Sequence, residues 1–120
     1  MSVSGPGPGR IDVAQAHART ALSAEAVLLD IREQDEWDTG HAPQAIHLPM
    51  ADLMSGTALP PAAQGRQLVL VCRSGRRSAH AAALLDARGI DVVDVDGGMQ
   101  VWAASHLPVI DHRGNSGSIA

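Results

Sequence analysis

The sequence predicts an α/β fold: a mainly parallel sheet of about five strands with helices on both faces. Two kinds of stretch carry this expectation. Short apolar, β-branched runs such as Leu68-Val69-Leu70-Val71 recur along the chain, and uninterrupted runs of this kind suit strands buried on both faces. Between them lie Ala- and Leu-rich stretches such as Ala79 to Ala87, whose residues favour helix. The two kinds alternate, which is the pattern of a parallel sheet covered on both sides. At 120 residues the chain suits one domain with a modest core.

The start, Met1 to Arg10, is MSVSGPGPGR. Its Gly-Pro alternation is that of a flexible leader. It has no apolar stretch of signal-peptide type, and no run in the chain approaches membrane-spanning length. The domain is expected over residues 11–110, with a polar tail over 111–120 and a cytoplasmic location by default. Ile11-Asp12 ends a short first strand. Asp12 with Gln15 has capping-box spacing, which starts a helix from Val13 to about Ala21. Ala26 to Ile31 is a second strand, closed by the charged group Asp30, Arg32 and Glu33. A helix from about Glu33 to Asp38 follows, with Trp37 as its core contact, and Gly40-His41-Ala42-Pro43 breaks it.

Ala45 to Leu48 is a third strand, Met50 to Met54 a single helical turn, and Ser55 to Gly65 a surface loop bearing Pro and Gly. Leu68 to Val71 is the fourth strand. The helix after it runs from Ser78 to Arg88, with Ser78 as N-cap. Ile90 to Val95 is the fifth strand, and Gly97-Gly98 turns into a last helix carrying Trp102. The tail, DHRGNSGSIA, is polar and expected to fray. Strand order does not follow from the sequence.

Composition narrows the function. There is no Phe or Tyr, so the core is built from Val, Leu, Ile, Ala and Met around two tryptophans. The net charge of −4 argues against nucleic acid or an anionic membrane as partner. Yet three of the nine basic residues are Arg73, Arg76 and Arg77, which points to a local anion pocket. The one cysteine, Cys72, cannot form an internal disulfide and suits a reducing compartment. The histidines at 17, 47, 80, 106 and 112 have no metal-ligand spacing, so neither metal nor organic cofactor is expected.

Cys72 opens the loop Cys72-Arg73-Ser74-Gly75-Arg76-Arg77, between the fourth strand and its helix. A lone cysteine is ordinarily a small buried hydrophobe. This one sits where open α/β sheets bind ligands, at the C-terminal end of a strand. Loop N–H groups and a helix N-terminus favour negative charge there, and the arginines add to it. A thiol in that position ionises more easily than free cysteine.

With Asp30-Ile31-Arg32, Gly40-His41 and Gly97-Gly98-Met99-Gln100-Val101-Trp102, the loop resembles a single-domain rhodanese, a sulfurtransferase, from about Ile11 to Val109. The resemblance implies a rhodanese-like architecture and a catalytic Cys72. Its thiolate takes sulfane sulfur from thiosulfate or a similar donor, carries it as a persulfide, and yields it to cyanide or a cellular thiol. The active-site loop would be Arg73, Ser74, Gly75, Arg76, Arg77 and Ser78. An arginine at position 73 looks like the thiosulfate enzymes, and Arg77 is the choice for the arginine that cradles an oxyanion or a loop carbonyl. At least one loop arginine is expected to face solvent. Asp30 and Arg32 would support the loop from behind, Glu36 and His41 serve structure, and His80 lies on the surface.

The alternative is a sulfur-carrier or redox-signalling module that delivers persulfide sulfur to a thiol-bearing protein partner. Cys72 and Arg77 form C-x4-R, one residue shorter than the C-x5-R of related cysteine phosphatases and arsenate reductases. That leaves less room for a tetrahedral oxyanion and favours persulfide chemistry. Two departures from the family's pattern, Gln44 for a glycine and His47 for a small polar residue, touch the local turn and not the chemistry.

Overall fold

The computed structural model describes residues 8–56 and 58–120. The leader expected over Met1–Arg10 lies mostly outside the described residues, but Arg10 itself belongs to the first strand. In order the elements are β1 (Arg10–Ile11), α1 (Val13–His17), β2 (Ala26–Asp30), α2 (Gln34–Thr39), β3 (Ile46–His47), α3 (Met50–Met54), β4 (Gln67–Val71), α4 (Arg76–Ala87), β5 (Val92–Val95) and α5 (Gly98–Ala104). The five strands form one sheet in the order β1-β5-β4-β2-β3, and every pairing is parallel.

The most apolar strand takes the centre. In β4, Leu68 pairs with Val27 and Val92, and Leu70 with Leu29 and Asp94. Successive side chains of a strand point to opposite faces, so β4 feeds two cores. Leu68, Leu70 and Cys72 join Val27, Leu29 and Val92 on the face covered by Leu53 of α3 and Ala81, Ala82 and Leu85 of α4. Val69 and Val71 join Leu28, Val93 and Val95 on the other face, under Val13 and Ala16 of α1 and Met99 and Trp102 of α5. Trp102 is fully buried, and its indole N–H donates to Pro108 O at 2.9 Å.

The capping box forms: Gln15 N donates to Asp12 Oδ1 at 2.8 Å and Asp12 N to Gln15 Oε1 at 3.0 Å. Beyond α1 the chain does not stay α-helical but widens into a π-helical turn over Ala18–Leu22. Trp37 is not a core contact. α2 buries none of its residues, and the half-buried indole stacks on two imidazoles, with ring centroids 3.5 Å from His41 and 4.8 Å from His47.

The tail does not fray either. His41 and Ile110 exchange backbone hydrogen bonds at 2.8 and 2.9 Å, and Ser118 N donates to Thr39 O at 3.1 Å. The polar residues make this possible by satisfying backbone groups locally. Asp111 Oδ1 accepts from Arg113 N and Asn115 N at 2.8 and 3.0 Å, and those bonds hold its carboxyl below the usual range. Ile119 then packs on the α1–α5 core. Gly40 leaves the space, since a Cβ there would overlap the Ser118 backbone.

Candidate active site

Cys72 follows the last residue of β4 and keeps the alternation of Leu68 and Leu70, so its sulfur points toward α4. The thiol is free and buried. Past it the chain reverses at Gly75, whose φ of +97° is open to glycine and strained for other residues. α4 starts at the next residue. The reversal brings backbone donors round the sulfur: Gly75 N lies 3.1 Å and Ser78 N 3.4 Å from Sγ.

The loop amides turn inward because its carbonyls are held outward. Met99 N donates to Cys72 O at 2.8 Å and Gln100 N to Arg73 O at 2.9 Å, so the first turn of α5 backs the loop. Gly98 permits this approach. Its φ is +59°, and a Cβ would collide with the carbonyl oxygens of Cys72 and Arg73. The Gly97-Gly98 pair, read from sequence as a turn, is therefore also the seat of the loop.

Ser78 is not the N-cap. Gly75 holds the cap position, because the left-handed residue lets the helix begin at Arg76, and Ser78 is third in the helix. Its buried hydroxyl lies 3.4 Å from Cys72 Sγ and 3.0 Å from Asp94 Oδ2. Asp94 shares the face of Val92, two residues before it in β5, and therefore looks at α4. Arg10, its parallel partner in register on β1, donates to it from Nε at 3.1 Å and Nη2 at 2.9 Å.

Burial pushes the Cys72 thiol up, but hydrogen bonds from the Ser78 hydroxyl and from the N–H groups of Ser78, Gly75 and Ser74 outweigh it. The net shift is downward. The surroundings of Cys72 therefore favour the thiolate, the form in which sulfur is nucleophilic.

A nucleophile at the end of a central parallel strand, ringed by amides, narrows the possibilities, and comparison with known proteins decides among them. The family model for the rhodanese-like domain matches residues 13–105. This chain belongs to the rhodanese-like family. It is similar to YtwF of Bacillus subtilis, named for sulfurtransferase activity, with 33% identity over 98 residues covering 82% of this chain and 93% of that protein. It is also similar to the thiosulfate sulfurtransferase GlpE of Pseudomonas savastanoi, with 36% identity covering 68% and 76% of the two chains. Among solved structures, a rhodanese-related protein from Thermoplasma volcanium superposes with a TM-score of 0.74 at 28% identity, over 85% of this chain and 97% of that one. Family membership places the chain among the sulfurtransferases.

Within this rhodanese-like loop the three arginines part company. Arg73 is exposed; its Nε donates to Ala120 O at 2.6 Å, and with the Gln100 amide oxygen turned toward it the guanidinium also meets that side chain at 3.2–3.3 Å. Arg76 is exposed. Arg77 does not cradle the loop as the sequence suggested. Its guanidinium fork is spent on Glu36 of α2, Nη1 to Oε1 and Nη2 to Oε2, both at 2.9 Å. The guanidinium that binds a loop carbonyl is Arg10's, from Nη2 to Gly75 O at 2.9 Å. His80 is exposed, as expected.

Asp30 and Arg32 form a fully buried pair, with Nη2 to Oδ2 at 2.7 Å and Nε to Oδ1 at 2.9 Å. Asp30 falls on the face opposite Cys72, beside Leu28 and Val71. The pair accordingly supports the turn after α2, where Arg32 Nη2 donates to Gly40 O at 2.6 Å, and makes no hydrogen bond to residues 73–78. His47 Nε2 lies 2.8 Å from Arg32 O. Arg32 Nη1 is buried and has no hydrogen-bond partner among the described residues.

Sequence reasoning missed Arg10 and Asp94. A carboxylate inside the apolar run Val92-Val93-Asp94-Val95 was the available signal, since a buried charge demands a partner.

Proposed function

We propose that this chain is a thiosulfate sulfurtransferase that works through a Cys72 persulfide. The observation that carries this reading is the pair of N–H donors converging on Cys72 Sγ from Gly75 and Ser78, in a chain similar to a thiosulfate sulfurtransferase. The thiolate attacks the outer sulfur of thiosulfate. As the new S–S bond forms, the old one breaks and sulfite leaves with its electron pair. The charged outer sulfur of the persulfide then meets fixed amides, the kind of environment that stabilises an oxyanion. A second nucleophile, cyanide or a thiolate, takes that sulfur and returns Cys72 as thiolate. Covalent catalysis of this kind needs no metal or organic group.

The short C-x4-R loop supports sulfur transfer over phosphoryl transfer, because one added sulfur needs less room than a tetrahedral oxyanion. The loop would serve equally for delivery to a docked protein thiol, and cytoplasmic work in a reducing medium suits a free cysteine. Among the described residues no helix is long and apolar enough to cross a membrane.

Intact-mass measurement after brief exposure to thiosulfate, with Cys72→Ser alongside, tests the reading. The expected result is a gain of one sulfur atom, present only with Cys72 and removed by cyanide. No gain on a thiol that still alkylates readily would sink it. Turnover of a phosphate ester that is lost in Cys72→Ser would replace it with a phosphatase.

A further inference from the structure

Four side chains, from β1, the end of β4, α4 and β5, form one line of contacts. Cys72 Sγ lies 3.4 Å from Ser78 Oγ, and Ser78 Oγ lies 3.0 Å from Asp94 Oδ2. Arg10 closes the line with two bonds to the carboxylate, Nε to Oδ1 at 3.1 Å and Nη2 to Oδ2 at 2.9 Å. The first three residues are buried, while the Arg10 side chain is 45% exposed. Arg10 lies outside the span matched by the family model.

The serine hydroxyl has one proton to donate. While Cys72 is a thiol, its S–H can donate to Ser78 Oγ and the hydroxyl proton can go to Asp94, so every group is satisfied. Once the thiol proton has left to the medium, the sulfur has nothing to donate, and beyond the amides of Gly75 and Ser78 it can take one more donor. The same hydroxyl proton is then wanted by two anions. Oxygen is the stronger acceptor, sulfur the weaker, so an unassisted carboxylate would keep it. Arg10 changes that balance, because its guanidinium gives Asp94 two charge-assisted donors of its own.

We propose that Arg10 is a positioning residue for the nucleophile: by occupying Asp94 it frees the Ser78 hydroxyl to turn from the carboxylate to the Cys72 thiolate. The proposal rests on the sulfur-transfer reading for its use in turnover, since each cycle would regenerate that thiolate when the acceptor takes the sulfur. Other charges lie around this line as well. Asp96 pairs with Arg10 at 3.3 Å on the β5 side. On the β2–α2 side Arg77 feels Cys72, Glu36 and Asp30, and Arg32 acts on Glu36. None of these touches Ser78 Oγ, whose side-chain partners are Cys72 and Asp94.

The test is the pH profile of alkylation by iodoacetamide, which reports one site because Cys72 is the only cysteine. Arg10→Gln should move the midpoint up by about half to one pH unit, a modest shift for a lost interaction with the charged form. Asp94→Asn should move it down by a similar amount. Arg10 would take the amide oxygen, the amide N–H would donate to Ser78 Oγ, and the hydroxyl proton would be left to the sulfur. In a Ser78→Ala background the Arg10→Gln shift should fall to less than half its original size, because the hydroxyl that transmits it is gone.

An undiminished shift in that background would mean that Arg10 acts through Gly75 O or through its field alone, and would overturn the proposal. Should Ser78→Ala not fold, the sign of Asp94→Asn still decides, and an upward or absent shift overturns it. Alkylation needs no sulfur donor, so this result is separate from the mass measurement. A chain that refuses thiosulfate can still show the shifts, and a chain that loads sulfur can still lack them.

Discussion

Glu36 and Arg77 face each other through two parallel hydrogen bonds of 2.9 Å, one from each guanidinium terminal nitrogen to each carboxylate oxygen. The pair ties α2 to the first turn of α4, just past the cysteine loop. The arginine expected to cradle an oxyanion or a loop carbonyl is a brace between two helices. Each partner shifts the other: Arg77 draws the Glu36 carboxyl below its ordinary range, and Glu36 raises Arg77.

Glu36→Gln should therefore lower stability only slightly, by less than about 1 kcal/mol, because the Arg77 side chain is 38% exposed and solvent screens the pair. The sign with pH follows from the depressed carboxyl. The contribution is full above the unfolded value of about 4.3 and is lost as pH falls through the folded one. Urea melts of the two proteins should differ at pH 7 and converge in acid. A difference that grows in acid would contradict the assignment.

Wild-type Cys72 should alkylate with a midpoint below that of free cysteine, because the bonds from Ser78, Gly75 and Ser74 outweigh its burial. Ser78→Ala, with its amide still in place, should move that midpoint upward without abolishing the reaction. The same downward shift makes folding more favourable as pH rises between the folded and unfolded thiol values. Blocking the thiol should remove that slope.

Gly98→Ala should cost about 2 kcal/mol or more. The left-handed backbone disfavours a side chain, and the added Cβ meets the carbonyls of Cys72 and Arg73. Pushing those carbonyls off the α5 amides disturbs the donors around the sulfur, so sulfur loading should fall along with the urea midpoint. Gly89→Ala is the control. It has a comparable φ of +81° with open space at its Cβ, so it should be destabilised by backbone strain alone and should load sulfur normally.

Arg32→Met should destabilise by about 3–5 kcal/mol, since it leaves Asp30 as an unpaired charge in a fully buried place. Replacing both members by apolar residues should recover much of that loss, because the desolvation of the pair disappears with it. Denaturant midpoints of the single and double variants check this. A double variant no better than Arg32→Met would show that the bond from Arg32 to Gly40 O matters more than the charge.

The cysteine loop was legible because its cause is local. An apolar run ending in Cys-Arg-Ser-Gly-Arg-Arg before an Ala-rich stretch already implies strand, tight turn and helix, with amides gathered where the strand stops. The capping box of Asp12 and Gln15 was legible for the same reason, since its partners are three residues apart. The frayed tail and the core role of Trp37 were misjudged because each depends on what the folded sheet leaves beside it. The backbone space at Gly40 receives Ser118, and two histidines, one after α2 and one in β3, stack on the indole.

By itself, the sequence determined the alternating strands and helices, an apolar fourth strand, and the presence of a cysteine in an amide-lined turn. Only the tertiary structure decided which charges serve that cysteine. Strand order puts β1 beside β5 and α4 over both β4 and β5, bringing Arg10 to Asp94 across 84 residues and Ser78 to Asp94 across 16. It also turns Arg77 toward Glu36, 41 residues away, and leaves Asp30 on the far face. Local chemistry follows from neighbours along the chain, but a buried charge takes whichever partner parallel register sets beside it.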